Sequence, residues 1–471
     1  MQRRAYPPAH GRPLLAALLS SVVPGAGQLY LGRSRRGLAM AAAALAVVAG
    51  GLLLWRRGRD VLTGVLTRPS WLLVLLAVDA VLLGFRVFCV VDAGHLAAGA
   101  PGRARRGVLA GMAGLVLFTA VPHSVAAFYD VQAYDLLTSV FGGNGSAGLE
   151  GVHSSHQVAV PGRITVLLLG GDAGLGRTGL RTDTMIVASV EPASGRATLF
   201  GLPRNLVRVP LPPGPARQVY GQSFPRPLNE LYAFTEFERP DLSPGVRHPG
   251  ILAVRGAAEE LLGIRIDHYA LVDLKGFVDV INALGGVTVN VTNPTRVEVD
   301  RLQQNGGPAF TLQPGRHHLS GLVALAYARQ RKQTSDYDRM RRQRCLLSAL
   351  AAQTSTADLL RAFPRLVPVL KRSVTTDIPI GRLPAVLGAA SGRQARTTTI
   401  GFTPPGYVTG YAGGYPIPDV AKIRATVRKL LFHKQAATAT THPPTASSRT
   451  PATTLPPQGP DDCDRSALPP A

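Results

Sequence analysis

Long uncharged apolar stretches near the amino terminus constrain this chain more than any other feature. Residues 37–55 and 107–129 contain no Asp, Glu, Lys or Arg, and residues 69–91 contain only two such side chains. About 20 helical residues cross the roughly 30 Å of hydrocarbon in a bilayer, so each stretch is long enough to span it. The sequence therefore predicts a membrane region over residues 1–130 with about three transmembrane helices.

Two further features of this region concern its polar and helix-breaking residues. Asp79 and Arg86 are seven positions apart, on one helical face. Either both point into a helix bundle, or Arg86 extends toward the membrane surface. The apolar residues 13–23 run into Pro24 and Gly25, which predicts an interfacial or re-entrant element.

Arginine clusters set the predicted orientation of the spans. One cluster precedes the first span and another precedes the third: Arg33, Arg35 and Arg36, then Arg103, Arg105 and Arg106. The positive-inside rule places both in the cytoplasm, so we expect a multi-pass protein of the cell membrane whose remaining chain is extracellular. The first loop opposes this orientation, because it carries Arg56, Arg57, Arg59 and Arg68.

The chain beyond the membrane region divides into three parts. Residues 131–160 are weakly patterned and predict a linker. Residues 161–434 predict one folded domain. Residues 435–462 hold seven Thr and six Pro with few large apolar side chains, so residues 435–471 predict a disordered tail that cannot bury enough surface to fold.

Strand and helix patterns alternate within the folded domain. Helical patterns occur at 250–262, 275–284, 319–329 and 336–353, and strand patterns at 164–169, 184–190, 196–202, 268–273 and 287–291. Alternation of this kind predicts an α/β fold whose sheet is covered on both faces. Turn residues 192–195 join the second and third strands as a hairpin, which makes the central sheet mixed.

The chain lacks the usual marks of nucleophilic catalysis and of cysteine-held metals. There is no Gly-x-Ser-x-Gly, and the three cysteines show no Cys-x-x-Cys spacing. We therefore expect neither a disulfide nor a cysteine metal site. The 51 Lys and Arg against 28 Asp and Glu give a net charge of +23, which favours polyanions. No helix-turn-helix or aromatic RNA platform is evident, so nucleic acid is not an expected partner.

Acidic and basic residues cluster around the first two predicted strands. A glycine-rich segment with Asp172 follows the first strand, and Arg181 and Asp183 open the second on one strand face. Asp172 and Asp183 together could hold Mg²⁺, which takes one or two carboxylates and completes its shell with water and phosphate. The alternatives are an ordinary turn and a surface ion pair.

Two later segments offer groups suited to phosphate. Leu202-Pro203-Arg204-Asn205 directly follows an apolar strand, where open α/β sheets bind ligands. A helix beginning at Asp336 places basic and polar groups on one face, next to a helix ending in more arginines: Arg339, Arg342 and Gln343, then Arg329 and Arg331. Clustered arginines suit a diphosphate, although a solvated basic face would produce the same run.

In this order and spacing, these motifs resemble the catalytic domain of the LytR-CpsA-Psr family of cell-wall glycopolymer ligases. The Arg-rich composition resembles that of an actinobacterial member. The resemblance runs from about Ile164 to Leu350. It is carried by GGD (170–172), RTDTM (181–185), LPRN (202–205), HYALVDLKGFVDVINALGGVTV (268–289), ALAYARQR (324–331) and DYDRMRRQ (336–343).

The resemblance implies an α-β-α sandwich with an apolar pocket for a polyprenyl chain. It implies a phosphotransferase that moves a polyprenyl-(di)phosphate-linked glycopolymer onto peptidoglycan, with Mg²⁺ as cofactor. Arabinogalactan, teichoic-acid-like chains and capsular polysaccharide all remain open as the polymer. A polyprenyl diphosphate hydrolase and a membrane-bound transcriptional attenuator are the alternative functions.

The same resemblance assigns roles to residues of this chain. Asp172 and Asp183 correspond to the metal-site acids, and Asp172, Asp183, Arg204 and Asp336 form the implied catalytic set. The phosphate-binding set is Arg181, Arg204, Arg329, Arg331, Arg339, Arg342 and Gln343. Two positions depart from the family pattern: Asn205 replaces an Asp, and Ser320 replaces an Asp before a helix.

Overall fold

The computed structural model describes most of the chain. Described are residues 13–56, 68–96, 103–141, 157–171, 182–243, 246–299, 309–330, 335–383, 386 and 397–432. The chain divides into two compact units, Met1–Thr138 and Ser139–Ala471. The predicted disordered tail lies outside the described residues.

The first unit is helical throughout most of its described residues. Its helices are α1 (Pro13–Val22), α2 (Ala26–Tyr30), α3 (Ser34–Arg56), α4 (Pro69–Leu96) and α5 (Arg103–Val140). Helices α3, α4 and α5 are long and apolar enough to cross a membrane, judged by length and composition. These are the three stretches in which the sequence predicted spans.

Helix α5 extends ten residues into the segment expected to be a linker, reaching Val140. Leu136 and Leu137 are buried, so this stretch has the apolar face of a packed helix. Residues 142–156 of the predicted linker lie outside the described residues.

Polar side chains of the first unit form contacts between its helices. Asp79 Oδ1 lies 2.7 Å from His123 Nδ1, which joins α4 to α5. Arg86 Nη2 donates to the carbonyl oxygen of Ser21 on α1 at 2.7 Å. Of the two alternatives for Asp79 and Arg86, the structure therefore shows both side chains bonded to neighbouring helices, where polar groups at membrane depth find partners.

The second unit contains a mixed sheet and several two-stranded ribbons. Its strands are β1 (Ile164–Gly171), β2 (Thr182–Glu191), β3 (Arg196–Gly201), β4 (Val209–Pro210), β5 (Ser223–Phe224), β6 (His268–Val272), β7 (Val287–Val291), β8 (Thr295–Glu298), β9 (Ala309–Leu312), β10 (Gly315–Leu319), β11 (Val374–Thr376), β12 (Thr397–Gly401), β13 (Val408–Ala412) and β14 (Tyr415–Pro418). The central sheet has the order β11-β6-β1-β2-β3-β12. Strands β1 and β6 are parallel, as are β3 and β12, and the other neighbours are antiparallel.

The helices of this unit lie between and after the strands. They are α6 (Pro215–Tyr220), α7 (Leu228–Ala233), α8 (Pro249–Leu262), α9 (Leu274–Ala283), α10 (Gly321–Arg329), α11 (Asp336–Gln353), α12 (Thr356–Ser373) and α13 (Val420–Phe432). Helix α8 ends at Gly263, whose φ of 70° is the left-handed conformation that glycine adopts without strain. The helical patterns found in the sequence correspond to α8, α9, α10 and α11.

Helices cover both faces of the central sheet, and alternate side chains of its strands pack against them. On one face, Leu167, Val187 and Phe200 share a buried cluster with side chains of α8 and α13. On the other face, Ile186 and Leu199 pack against Leu347 of α11. The predicted fold class, a mixed sheet between helical layers that follows a helical apolar region, is confirmed.

One expectation about the cysteines was wrong. Cys345 on α11 is disulfide-bonded, whereas Cys89 is a buried free thiol. Disulfide formation depends on the distance between two Cα atoms in the folded chain, which the spacing of cysteines along a sequence does not give.

Candidate functional site

Arg204 lies where the chain leaves β3 at the carboxyl end of that strand. The backbone there is fixed on both sides, because Leu202 N donates to Met185 O at 2.9 Å and Asn229 N donates to Arg204 O at 3.0 Å. Pro203 has no N–H and cannot continue the ladder. This local structure presents the Arg204 side chain at the end of the sheet, as the sequence predicted.

Asp183 projects from an irregularity in the pairing of β1 and β2. Gly170 pairs with Thr184 and Gly171 pairs with Thr182, so Asp183 is an extra residue on β2. Such a bulge re-aims a side chain and is common beside functional sites. Asp183 Oδ1 accepts from Arg204 Nη1 at 2.6 Å.

The third charged group comes from the start of α11. Ser335 caps this helix, since its Oγ accepts from Asp338 N at 3.1 Å and the Asp338 carboxylate accepts from Ser335 N. The cap fixes the first turn, where Asp336 Oδ1 lies 3.3 Å from Arg204 Nε. Asp336 Oδ2 in turn accepts from Arg339 Nη2 at 3.1 Å.

These contacts form one row of alternating charges, Asp183–Arg204–Asp336–Arg339, which we call the Arg204 network. The side chains of Arg204, Asp183 and Asp336 are 18%, 20% and 17% exposed, so they remain accessible from one side. Burial lowers the pKa of Arg204, but the charges of Asp183 and Asp336 outweigh it and raise that pKa overall. Arg204 therefore stays charged and oriented.

Two residues of the predicted phosphate-binding set face the backbone of α10. Arg342 is buried; its Nε donates to Tyr327 O at 3.1 Å and its Nη2 donates to Gln330 O. Burial lowers the pKa of Arg342. Gln343 Nε2 donates to Ala328 O at 3.3 Å. The structure thus brings Arg339 to the Arg204 network and directs Arg342 and Gln343 to the end of α10, where Arg329 is the last residue.

Three predicted site residues, Asp172, Arg181 and Arg331, lie outside the described residues. The predicted metal pair therefore keeps only Asp183 in the described part of the chain. Gly171, the residue before Asp172, pairs with Thr182, the residue before Asp183. Among the described residues, no group of three or more His, Cys, Asp or Glu side chains could hold a metal ion.

The structure adds residues that the sequence analysis missed. Asn229 Nδ2 lies 3.5 Å from Asp183 Oδ1, and nothing in the local pattern marked it. The Arg344 guanidinium is buried against Gly201 and Gly401, where an added Cβ would lie 2.8 Å from its Nη1. The Ser-x-x-Asp pattern at Ser335 is a helix-start signal that could have been found in the sequence.

The Arg204 network is suited to a phosphate ligand. A guanidinium presents five N–H donors in a planar fork, and Arg204 already bridges two carboxylates whose oxygens resemble those of phosphate. A phosphate oxygen can replace a carboxylate oxygen in such a bridge. The site can therefore bind and orient a charged phosphoryl group at the end of the sheet.

Comparisons with known proteins agree with the motifs. The LytR_cpsA_psr family model matches residues 145–410. Biofilm regulatory protein A of Streptococcus mutans is 26% identical over 234 residues, which are 48% of this chain and 52% of that protein.

Two further relatives are named polyisoprenyl-teichoic acid–peptidoglycan teichoic acid transferases. TagU of Oceanobacillus iheyensis is 28% identical over 240 residues, covering 50% of this chain and 66% of that protein. TagV of Bacillus subtilis is 31% identical over 204 residues, covering 42% and 46%. The chain thus spans about half to two thirds of the length of these curated relatives.

Two solved structures give the following comparison. The crystal structure of B. subtilis TagV shares 26% identity, covers 58% of this chain and 98% of that chain, and has a TM-score of 0.42. The structure of TagT bound to LIIa-WTA shares 20% identity, covers 60% and 96%, and has a TM-score of 0.41.

Proposed function

The chain belongs to the LytR-CpsA-Psr family, and from that premise we propose that it is a membrane-anchored transferase of cell-wall assembly. Its donor is a glycopolymer linked to polyprenyl (di)phosphate, and its acceptor is peptidoglycan. The names of the TagU and TagV relatives support this class of reaction. The single observation that carries the proposal is the Arg204 network, a partly exposed arginine held between two carboxylates at the end of the sheet.

The reaction is a phosphoryl transfer. A sugar hydroxyl oxygen of peptidoglycan attacks the phosphorus atom that bears the glycopolymer. For a diphosphate-linked donor, a new P–O bond forms to this sugar, the P–O bond to the polyprenyl phosphate breaks, and polyprenyl phosphate departs with the bonding electron pair. The hydroxyl proton passes to a carboxylate, for which Asp172 and Asp336 are the candidates.

The protein's own contribution is charge and orientation. In phosphoryl transfer, enzymes mainly position the groups and stabilise developing charge. Arg204 stays protonated and can turn its fork from the carboxylates to phosphate oxygens. Four further arginines belong to the proposed phosphate-binding set: Arg181, Arg329, Arg331 and Arg339. Arg342 and Gln343, also in this set, hold the end of α10 that carries Arg329.

Mg²⁺ is the proposed cofactor, held by Asp172 and Asp183. The pairing of Gly171 with Thr182 supports this assignment, because it joins the two strands one residue away from each acid. When bound, the ion supplies positive charge that stabilises the phosphate oxygens.

We further propose that α3, α4 and α5 cross the cell membrane and that the second unit lies on its outer side. The supporting observations are the length and apolar composition of the three helices. Protease added to spheroplasts should degrade the second unit. Complete protection until the membrane is permeabilised would contradict the proposed orientation.

Transfer by the full-length protein in detergent tests the site. Arg204→Ala and Asp183→Ala should each lower the transfer rate about 100-fold or more, the usual effect of removing one group that stabilises transition-state charge. Arg196→Ala is the matched control, since Arg196 begins the strand that Arg204 follows and also pairs with a carboxylate, that of Glu191, while its side chain is 48% exposed. Full transfer by both site variants would refute the assignment.

Native mass spectrometry of the same proteins separates binding from chemistry. The wild-type protein should retain a polyprenyl phosphate or diphosphate, and Arg204→Ala should lose it. Phosphate release at full rate without a glycan acceptor would instead identify a polyprenyl diphosphate hydrolase. Salt-sensitive DNA binding without lipid binding would favour a transcriptional attenuator.

A further inference from the structure

A groove with apolar and basic walls lies at the end of the central sheet opposite to Arg204. Its volume is about 230 Å³, and the lining side chains include Val158, Leu262, Ile264, Phe432, Arg424 and Arg428. The bridge between Val158 and Ile264 places the groove just before the parallel strands β1 and β6. Arg204 instead follows β3, which runs in the same direction as β1. The eight residues of β1, a length of about 25 Å, therefore separate the groove from the Arg204 network.

Two residues of the groove wall expose apolar surface. Val158 is 53% exposed and Phe432 is 36% exposed. In the described part of the second unit, eight large hydrophobic side chains are at least this exposed, and two of them line this one groove. Exposed apolar side chains that lie together, bordered by polar groups, mark an interaction surface.

The helix that borders the groove is basic on its outer face. Helix α13 has four basic residues and no acidic one: Lys422, Arg424, Arg428 and Lys429. Its Ile423 and Val427 are buried, so the helical period turns Arg428 and Lys429 outward, and both are exposed. Neither side chain forms an ion pair with a described residue. Both positive charges therefore remain uncompensated at the surface.

Arg424 is fixed in the groove by Glu260 of α8. Its Nε donates to Glu260 O at 3.0 Å, and its Nη2 lies 3.2 Å from Glu260 Oε2. The stem of Arg424 packs over Gly263, where an added Cβ would lie 3.1 Å from Arg424 Cγ. Within the described ranges, no group accepts from Arg424 Nη1. The guanidinium is thus held in position with one nitrogen available to a ligand.

An apolar groove bordered by cations matches an amphipathic anion. Guanidinium groups bind phosphate oxygens through charge-assisted hydrogen bonds, and the apolar wall can contact a hydrocarbon chain. Basic helices flanked by apolar side chains bind at the headgroup level of anionic membranes. A water-soluble polyanion would leave the exposed faces of Val158 and Phe432 in water, so the groove favours a lipid.

The course of the chain favours the same partner. Helix α5, which is long and apolar enough to cross a membrane, ends at Val140, and the described second unit begins at Gln157. Residues 141–156 join them, and a chain of this length spans at most about 55 Å. Val158 therefore lies two residues beyond a short tether to a membrane helix. Such a tether gives lipid headgroups a high effective concentration at the groove.

We propose that the groove between α8 and α13 binds the phosphate of an anionic phospholipid, so that this face of the second unit rests on the membrane surface. Arg424 and Arg428 bind the phosphate, Lys429 contacts neighbouring headgroups, and Val158 and Phe432 contact the glycerol and upper acyl chain. The contact holds the Arg204 network about 25 Å above the headgroups, the length of β1. The inference goes beyond the proposed function and does not depend on the chemistry at Arg204.

Fluorescence quenching in nanodiscs tests the contact. The full-length protein carries Cys89→Ala and Ala425→Cys and is labelled with bimane without reductant, so that the disulfide of Cys345 remains. Ala425 is exposed on α13. Phosphatidylcholine with a nitroxide on its headgroup should quench the label in discs that contain phosphatidylglycerol, and much less in discs of phosphatidylcholine alone. A label at Leu360→Cys on α12, where Leu360 is 58% exposed, should escape quenching in both.

Charge variants test the phosphate contact. Arg428→Gln combined with Lys429→Gln should lower the ratio of docked to undocked protein about 30-fold. Each basic residue near an anionic surface contributes about 1 kcal/mol, which is about a fivefold change in an equilibrium. Arg361→Gln combined with Arg365→Gln is the matched control, because it removes the same charge from the exposed face of α12 and should leave the ratio unchanged.

Two further variants separate the apolar contact and the Arg204 network. Val158→Ser combined with Phe432→Ser should weaken docking without any change of charge. Geranylgeranyl diphosphate in detergent is the probe of the network, and its binding should be the same in all these groove variants. Arg204→Ala should lose this probe and keep the quenching. Undiminished diphosphate binding by Arg204→Ala would overturn the proposed function and leave the lipid contact standing.

Four results would overturn the lipid contact. The first is an unquenched Ala425 label in both kinds of disc, and the second is quenching that depends neither on phosphatidylglycerol nor on Arg428 and Lys429. Equal quenching of the Leu360 label would show random collision with the membrane. Quenching that begins only after residues 435–471 are deleted would identify the carboxyl-terminal segment of this chain as the occupant of the groove.

Discussion

A buried acid on α8 should make the second unit less stable as the pH rises. Glu259 is 3% exposed. Its Oε1 accepts from Ile266 N at 2.8 Å and lies 3.9 Å from Arg255 Nε. Burial raises the pKa of Glu259 from its ordinary 4.5 to about 7, although Arg255 and the Ile266 amide oppose the shift. Ionising this carboxyl in the folded protein is therefore unfavourable.

The sign of the effect follows from the two pKa values. Well below pH 4.5 the folded and unfolded states both hold the proton, so this carboxyl does not change the free energy of unfolding. As the pH rises toward 7, the unfolded state ionises first and becomes relatively more stable. One unit of pKa difference corresponds to about 1.36 kcal/mol. Because the unfolded state is already partly ionised at about pH 5, and the folded state is not yet fully ionised at about pH 8, the free energy of unfolding should fall by about 2.5 kcal/mol between these two pH values.

Glu259→Gln removes this titration and keeps the acceptor for Ile266 N. Urea unfolding of the full-length protein in detergent, followed by pulse proteolysis of the second unit, would give the free energy of unfolding at both pH values. The wild-type value should fall relative to the variant by about 2.5 kcal/mol. Asp377, whose pKa burial raises to about 6, and His268, whose pKa burial lowers, titrate in both proteins and cancel in the comparison.

The exposed Glu238, whose side chain is 63% exposed, supplies the control. Glu238→Gln should show the same pH dependence as the wild-type protein. A pH dependence shared by the wild-type protein and Glu259→Gln would refute the reasoning, because it would mean that Glu259 titrates alike in the folded and unfolded states.

Two further predictions concern the supports of the site. Ser335→Ala removes the cap of α11 and should cost about 1 kcal/mol of stability while weakening geranylgeranyl diphosphate binding by up to about fivefold. Ser355→Ala removes the same kind of cap from α12 and should cost similar stability without that loss of affinity. Equal affinities of the two variants would contradict the role of the Ser335 cap. Gly401→Ala would place a Cβ 2.8 Å from Arg344 Nη1 and should lower the free energy of unfolding in urea by about 1–3 kcal/mol. Gly410→Ala, with open space around its Cβ, should lower it far less. Similar losses for the two variants would show that the Arg344 guanidinium moves freely.

Much of the architecture could be predicted because it is encoded in local patterns. The uncharged runs predicted α3, α4 and α5, since hydrophobic length alone decides whether a helix can span a bilayer. Short apolar runs predicted β1, β2 and β3, and glycine stops predicted where α8 and α9 end. The position of Arg204 at the end of β3 followed in the same way, because Pro203 ends the strand wherever the sheet lies.

The partners of the site residues required the tertiary structure. Asp183 and Arg204 meet because a bulge in β2 turns the carboxylate toward the end of β3, and Arg204 reaches Asp336 only because α11 packs across that face of the sheet. The helical period placed Arg339 and Arg342 on one face, yet Arg339 pairs with an acid and Arg342 bonds to backbone carbonyls of α10. A periodic pattern gives the direction of a side chain from its own element, whereas the group it meets depends on register and packing between distant segments.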